Sequence, residues 1–132
     1  VAVVGRQSKS CVVYDATGVG DAVGDQLVQA KVWCEPFIFS SASKQGLMEG
    51  LALALQQGRT TVLDGAHRAE LEAFEYDVKS NRVVYGAPSG AHDDTVCAHA
   101  LAWYGAERMG VSQFVRRLPL GGPSTTSRDR TW

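Results

Sequence analysis

The sequence predicts an α/β domain in which strands and helices alternate along the chain. Three observations predict it. The run Cys11–Ala16 is dense in β-branched and aromatic residues, the pattern of a strand buried on both faces. Its C-terminal end carries Asp15 into a turn with Gly18 and Gly20, followed by residues with helical spacing. Farther on, Leu47, Leu51 and Leu55 recur at one-turn intervals, the stripe of an amphipathic helix.

The remaining elements follow in order. Val1–Val4 reads as a short strand and Gly5–Ser10 as a polar turn. Asp21–Lys31 has helical spacing, with Ala22, Leu27 and Ala30 on its apolar side and Gly24 as a weakening residue. Val32–Phe39 reads as a second strand, irregular or near an edge because of Pro36. Ser40–Ser43 suits an N-cap, and the helix it opens runs to Gln57, with Met48 and Ala52 widening its stripe. Gly58 is placed to end that helix. Arg59–Leu63 reads as a strand. Ala66–Val78 reads as a helix with Leu71, Phe74 and Val78 inward and Arg68, Glu70, Glu72 and Glu75 outward. Asn81–Tyr85 is another short strand. The loop Gly86–Ala91 then leads through His92-Asp93-Asp94-Thr95 into a helix ending near Met109. That helix has two apolar lines, Val96/Ala100/Trp103 and Cys97/Leu101/Tyr104, so it should lie deep against the sheet. Residues 1–118 are expected to form the domain and 119–132, rich in Gly, Pro, Ser, Thr and Arg, a flexible tail.

Composition narrows the function classes. A chain of 132 residues is one domain with a real core, and 45% apolar with 20% charged residues marks a folded protein. The net charge of -1 gives no general attraction to nucleic acid. No apolar run approaches the ~18 residues a membrane span needs, so no membrane role is expected. Cys11, Cys34 and Cys97 are odd in number and lack metal-type spacing. They read as mostly buried, reduced thiols in a cytosolic protein. Trp33, Trp103 and the other aromatics are scattered in a way that suits core filling better than base stacking.

The chemistry gathers at two acidic segments. In open α/β sheets ligands sit outside the carboxyl ends of strands, which is where Asp15 lies. Gly18 and Gly20 allow close backbone approach, yet neither a Walker nor a Rossmann spacing follows. The plain alternative is a tight turn with Asp15 capping a backbone amide. Asp93 and Asp94 stand together at a helix start, after His92. One aspartate there is ordinary capping; two adjacent ones repel unless a cation or protons intervene. With Asp15 they make a candidate hard-oxygen site for magnesium or manganese, able to activate water for phosphodiester hydrolysis. Lys44 near a helix start opposes the helix dipole, which is easier to understand if it meets a phosphate; the plain alternative is a solvated lysine. His92 is a candidate ligand, acid/base group or partner that orients Asp94. His67 and His99 read as structural or solvent-facing, and Glu70 as part of a solvated face.

Four segments carry a family resemblance: Val13-Tyr14-Asp15-Ala16-Thr17-Gly18-Val19-Gly20-Asp21, Ser43-Lys44 heading the Leu-rich helix, Ala69-Glu70-Leu71 with Phe74, and Tyr85-Gly86-Ala87-Pro88 running into His92-Asp93-Asp94. In order and spacing, from about Cys11 to Arg108, the chain resembles the C-terminal nuclease domain of the large terminase subunit of tailed bacteriophages. The resemblance implies a ribonuclease H-like mixed sheet flanked by helices. It also implies metal-dependent cleavage of double-stranded DNA during genome packaging, with Mg2+ or Mn2+ as cofactor. Implied partners are the portal and the small terminase subunit, in the cytoplasm of the bacterial host. By position, Asp15 matches the family's second active-site acid, and Asp93 and Asp94 its third, Asp94 being favoured as metal ligand. Lys44 and Glu70 match recurring positions without an assigned role.

The family's first catalytic aspartate has no counterpart, because Val1–Ser10 contain no acid. The expectation is an N-terminally shortened domain, an excised fragment or a truncated product, with a weakened metal site and an exposed strand edge open to self-association. Two alternatives stay open: a non-catalytic DNA- or partner-binding remnant of the same fold, and a small nucleotide-binding α/β protein using the Asp15–Gly20 turn.

Overall fold

The computed structural model describes residues 11–18, 20–80 and 82–110. The expected strand Val1–Val4, the turn after it and the tail 119–132 lie outside the described residues. Strand β1 (Cys11–Asp15) pairs in parallel with β2 (Trp33–Phe37), and helix α1 (Gly20–Gln29) is the crossover that a parallel pair needs. The register runs from Cys11 opposite Trp33 to Asp15 opposite Phe37, so both strands finish at the same edge. Val12 and Val13 are buried, as the run of apolar residues required. Pro36 is tolerated because β2 has a free edge among the described residues. Trp33 is 57% exposed and so does not fill the core as expected. Ala22 on α1 and Ala30 just after it are exposed, whereas Gly24 is buried; a methyl group there would collide with the Tyr14 hydroxyl.

Helix α2 (Ser41–Gln56) has the ends its sequence calls for. Ser40 is the N-cap: its Oγ accepts from the Ser43 amide at 3.0 Å, and the Ser43 Oγ accepts from the Ser40 amide at 2.7 Å. At the other end Gly58 takes φ of 64°. Its amide donates to Leu55 O at 3.0 Å and the Arg59 amide to Ala54 O at 2.9 Å, a Schellman closure.

Arg59–Leu63 is not a strand. Its groups are taken by helices instead of a ladder. The Arg59 amide closes α2, its guanidinium stacks 4.7 Å from the Trp103 ring and bonds Glu107 at 3.2 Å, and the Leu63 amide donates to His67 Nδ1 at 3.2 Å. The expected helix Ala66–Val78 is also divided, into α3 (Ala66–Ala73) and β3 (Glu75–Lys79). Phe74 turns extended at ψ of 126°, and β3 pairs antiparallel with β4 (Arg82–Gly86). Leu71, Phe74 and Val78 fit a helical period, but Tyr76 and Val78 also fit a strand's alternation, and hairpin pairing decided between them. Val78 is 65% exposed. The described strands therefore form two two-stranded sheets, one parallel and one antiparallel.

Helix α4 (Asp94–Arg108) lies deep, as its two apolar lines predict. Val96, Ala100, Leu101 and Trp103 pack in one core with Leu47, Met48, Leu51 and Ala54 of α2 and with Val13 and Phe37 of the parallel strands. Tyr104 meets the Phe37 ring edge-on at 5.2 Å. Gly105 is where α4 passes β1: an added Cβ would stand 2.7 Å from Val13 Cγ2. Gly105→Ala is accordingly expected to lose about 1–3 kcal/mol of stability through overpacking, despite the better helix propensity of alanine. Urea denaturation of both proteins checks this, and an unchanged midpoint would refute the tight α4–β1 packing.

Candidate active site

Three element ends are linked in series by hydrogen bonds and an ion pair. The first is the carboxyl end of β1. Asp15, the last residue of the strand, is exposed, and its Oδ1 accepts the Thr17 amide at 2.8 Å. The capping role foreseen as the plain alternative is thus real for one oxygen. The loop carrying it continues through Gly18, at φ of 76°, to Gly20, which opens α1. The second end is the start of α2, and it is tied to the first. Ala16 donates to Phe37 O at 2.8 Å, and the Phe39 amide, just before the Ser40 cap, donates to Thr17 Oγ1 at 2.9 Å. Both connections tie the loop after β1 to the end of β2 and the residues that follow it.

The third end is the start of α4, joined to the second by Lys44. The Lys44 ammonium lies 2.9 Å from Asp93 Oδ2, with the two side chains only 27% and 26% exposed. This supplies the cation that adjacent Asp93 and Asp94 require. The Lys44 charge is engaged by protein and not left to solvent. Lys44 also borders an open cleft of about 190 Å³, lined by Phe39, Ser40, Ser41, Val83, Val84 and Tyr85.

Asp93 occupies the N-cap position of α4 without capping it: its side chain makes no bond to the helix amides. The capping bond comes from a distant residue. Glu70 on α3 accepts the Thr95 amide at 2.8 Å and the Thr95 hydroxyl at 2.5 Å. These bonds hold the Glu70 carboxyl below its usual range. Glu70 is therefore not part of a solvated face, contrary to its helical-wheel position. Nothing local in the sequence announces this; only its distance from the α4 amides in space does.

Asp94 is 88% exposed, and His92 Nδ1 lies 3.9 Å from its Oδ2, too far for a hydrogen bond. Cys97, one turn into α4, has its thiol pushed up to about 11, first by burial and then by Asp93. It is a poor nucleophile and a poor thiolate ligand. Among the described residues no three His, Cys, Asp or Glu side chains stand close enough together to hold a metal ion. The donors at this corner, Asp15 and Asp94 above all, nevertheless fit a hard divalent ion in kind, being exposed carboxylates.

Farther along α4 a chain of polar groups ties α3 and the 59–63 connection to the same helix. His67 is buried; its Nδ1 accepts from Leu63, its Nε2 lies 3.0 Å from His99 Nδ1, and His99 Nε2 lies 2.8 Å from Thr60 Oγ1. The Leu63 amide fixes the order of donors. His67 Nδ1 must accept, so Nε2–H donates to His99 Nδ1, and His99 Nε2–H donates to Thr60. Every bond is satisfied with both rings neutral. Burial, and next the neighbouring His67, lower the pKa of His99.

In sequence and in fold the chain is similar to phage terminases. The large terminase subunits of Thermus phage G20c and Thermus virus P23-45 are each 36% identical to the chain over 95 residues. The match covers 70% of this chain and 20% of each relative, so the chain spans about one fifth of their length. The crystal structure of the large terminase nuclease from thermophilic phage G20c with bound magnesium superimposes with a TM-score of 0.63 at 32% identity. That match covers 72% of this chain and 52% of the other. No protein-family model matches the chain.

The neutral histidine chain has a consequence for pH. His99 has a lower pKa folded than unfolded, so below about pH 6.5 the unfolded chain binds more protons than the native one. Stability is complete above that value and declines as pH falls, by at most about 1.4 kcal/mol per pH unit for one proton. Unfolding free energies measured between about pH 7 and about pH 5 should slope more steeply in the parent than in His99→Gln. Parallel slopes would refute it.

Proposed function

Because the chain is homologous to phage large terminase subunits, with the ribonuclease H-like fold of their nuclease domain, we propose that it is a metal-dependent endonuclease domain acting on double-stranded DNA in genome packaging. The observation that supports this most is the corner itself. The Phe39–Thr17 bond ties the loop after Asp15 to the start of α2, and the Lys44–Asp93 ion pair ties α2 to the Asp93–Asp94 helix end, which supports a site drawn from all three.

In this reading Asp15 and Asp94, with Asp93 beside them, hold Mg2+, the ion bound in the G20c nuclease, or Mn2+. When bound there, such an ion would supply an activated water and charge stabilisation for the leaving oxygen of a phosphodiester. The chain's own residues do the rest. Lys44 balances Asp93, orients it and faces the DNA phosphates from the cleft. His92, beside Asp94, is available as a further ligand or acid/base group, and Gly18 and Gly20 keep the loop after Asp15 open to a backbone. The portal and the small terminase subunit are the proposed partners, and the bacterial cytoplasm the setting; among the described residues no helix is long and apolar enough to cross a membrane. The outer edge of β1 has no strand partner among the described residues, and we assign it to pairing with a second copy.

Plasmid DNA incubated with the protein and Mg2+ or Mn2+ should be cut, and chelation should stop the cutting. Asp15→Asn and Asp94→Asn should each slow it by about 100-fold or more, about 2.7 kcal/mol in the barrier. Intact DNA at high protein concentration, with retention of the same DNA in a shift assay, would instead favour a non-catalytic binding module. Saturable nucleotide binding indifferent to Asp93 and Asp94 would favour a nucleotide-binding protein. In sedimentation the chain should associate as its concentration rises; a monomer throughout would refute the edge pairing.

A further inference from the structure

The most effective capping residue type, aspartate, stands at the N-cap of α4 and does not cap it. Two facts explain this together. The Asp93 carboxylate is held by Lys44 at 2.9 Å. The Thr95 amide, the N2 donor that an N-cap side chain ordinarily takes, is occupied by Glu70 from α3. Glu70 also receives the Thr95 hydroxyl, so one carboxylate oxygen gathers two donors from the first turn of α4. We propose that Glu70 is a positioning residue of the candidate active site: by capping α4 from another helix it frees Asp93 for Lys44 and fixes the orientation of the Asp93–Asp94 pair.

The physical argument is one of competition. An unmet amide at a helix start seeks the nearest acceptor. If Glu70 is withdrawn, the nearest is the Asp93 side chain, which then turns inward to its ordinary capping duty and leaves Lys44. The helix keeps part of its capping, because Asp93 can replace the amide bond but not the hydroxyl bond that Glu70 also takes, and so holds the Thr95 amide less tightly. The site loses more, because Asp93 moves away from the corner and Lys44 is released. Glu70 touches neither metal nor substrate in this account, and acts only through Thr95. The α3 helix is itself anchored for this task. His67, one turn before Glu70, meets His99, one turn after Thr95, so the two helices are joined at two successive levels.

This role rests on the nuclease reading, and the test separates the two. Amide exchange at Thr95 in metal-free protein, Mn2+ affinity by calorimetry, and plasmid cleavage are measured for the parent, Glu70→Ala and Glu70→Gln. Glu70→Ala should speed Thr95 exchange and weaken Mn2+ binding about 10-fold, as loss of outer-sphere partners does. Its turnover should fall while its thermal midpoint stays near the parent's. Glu70→Gln keeps an acceptor oxygen, so it should restore Thr95 protection and most of the Mn2+ affinity. Unchanged Thr95 exchange in Glu70→Ala overturns the proposal. So does faster exchange with Mn2+ affinity and turnover equal to the parent's. A parent protein that neither binds Mn2+ nor cuts DNA overturns the nuclease reading, and this role with it.

Discussion

The Lys44–Asp93 ion pair is the contact on which the geometry of the acidic corner depends. It joins residues 49 positions apart, from the starts of two helices that otherwise meet through their apolar faces. Each partner answers a problem in the other. Lysine near the start of α2 opposes that helix's dipole, a penalty of about 0.3–1 kcal/mol at an exposed site. Asp93 and Asp94 side by side repel. At 2.9 Å and about three-quarters shielded from solvent, the pair offsets both.

Around that contact the backbone is organised to bring loops to one edge. Parallel pairing of β1 with β2 makes both strands end together, and the Thr17 hydroxyl binds the chain leaving β2. The start of α2 is thereby positioned relative to Asp15. The α2–α4 core then sets the start of α4 relative to α2. The similarity to the G20c terminase nuclease, at about one-third identity, extends to the fold.

The helix α4 also shows how a polar network divides its duties. Its first turn is held by Glu70, and its next by the neutral His67–His99 pair, both reaching it from α3. Its buried face is apolar throughout, from Val96 to Trp103. A helix bonded in this way on one side and packed on the other has little freedom to turn about its axis. That constraint matters for a residue such as Asp94, which is exposed and lies 3.9 Å from His92 Nδ1, beyond hydrogen-bond distance.

Sequence alone determined the elements whose signals are local and unambiguous. The apolar run of β1, the capped and glycine-ended α2, and the two apolar lines of α4 each hold enough information in consecutive residues to declare themselves. So did the two acidic segments, because carboxylates at strand ends and helix starts are conspicuous in a chain read end to end. Tertiary structure decided the rest. Arg59–Leu63 has the composition of a strand, but its groups are bound by helix ends and a histidine. Leu71–Val78 fits two periods, and only the partner strand chose between them. The ion pair of Lys44 with Asp93 was hidden, and Glu70 looked solvated, because the partner of each lies 25 or more positions away and no spacing rule reaches that far. Hydrogen bonds and ion pairs between distant segments depend on how the core packs, and packing is a property of the folded chain.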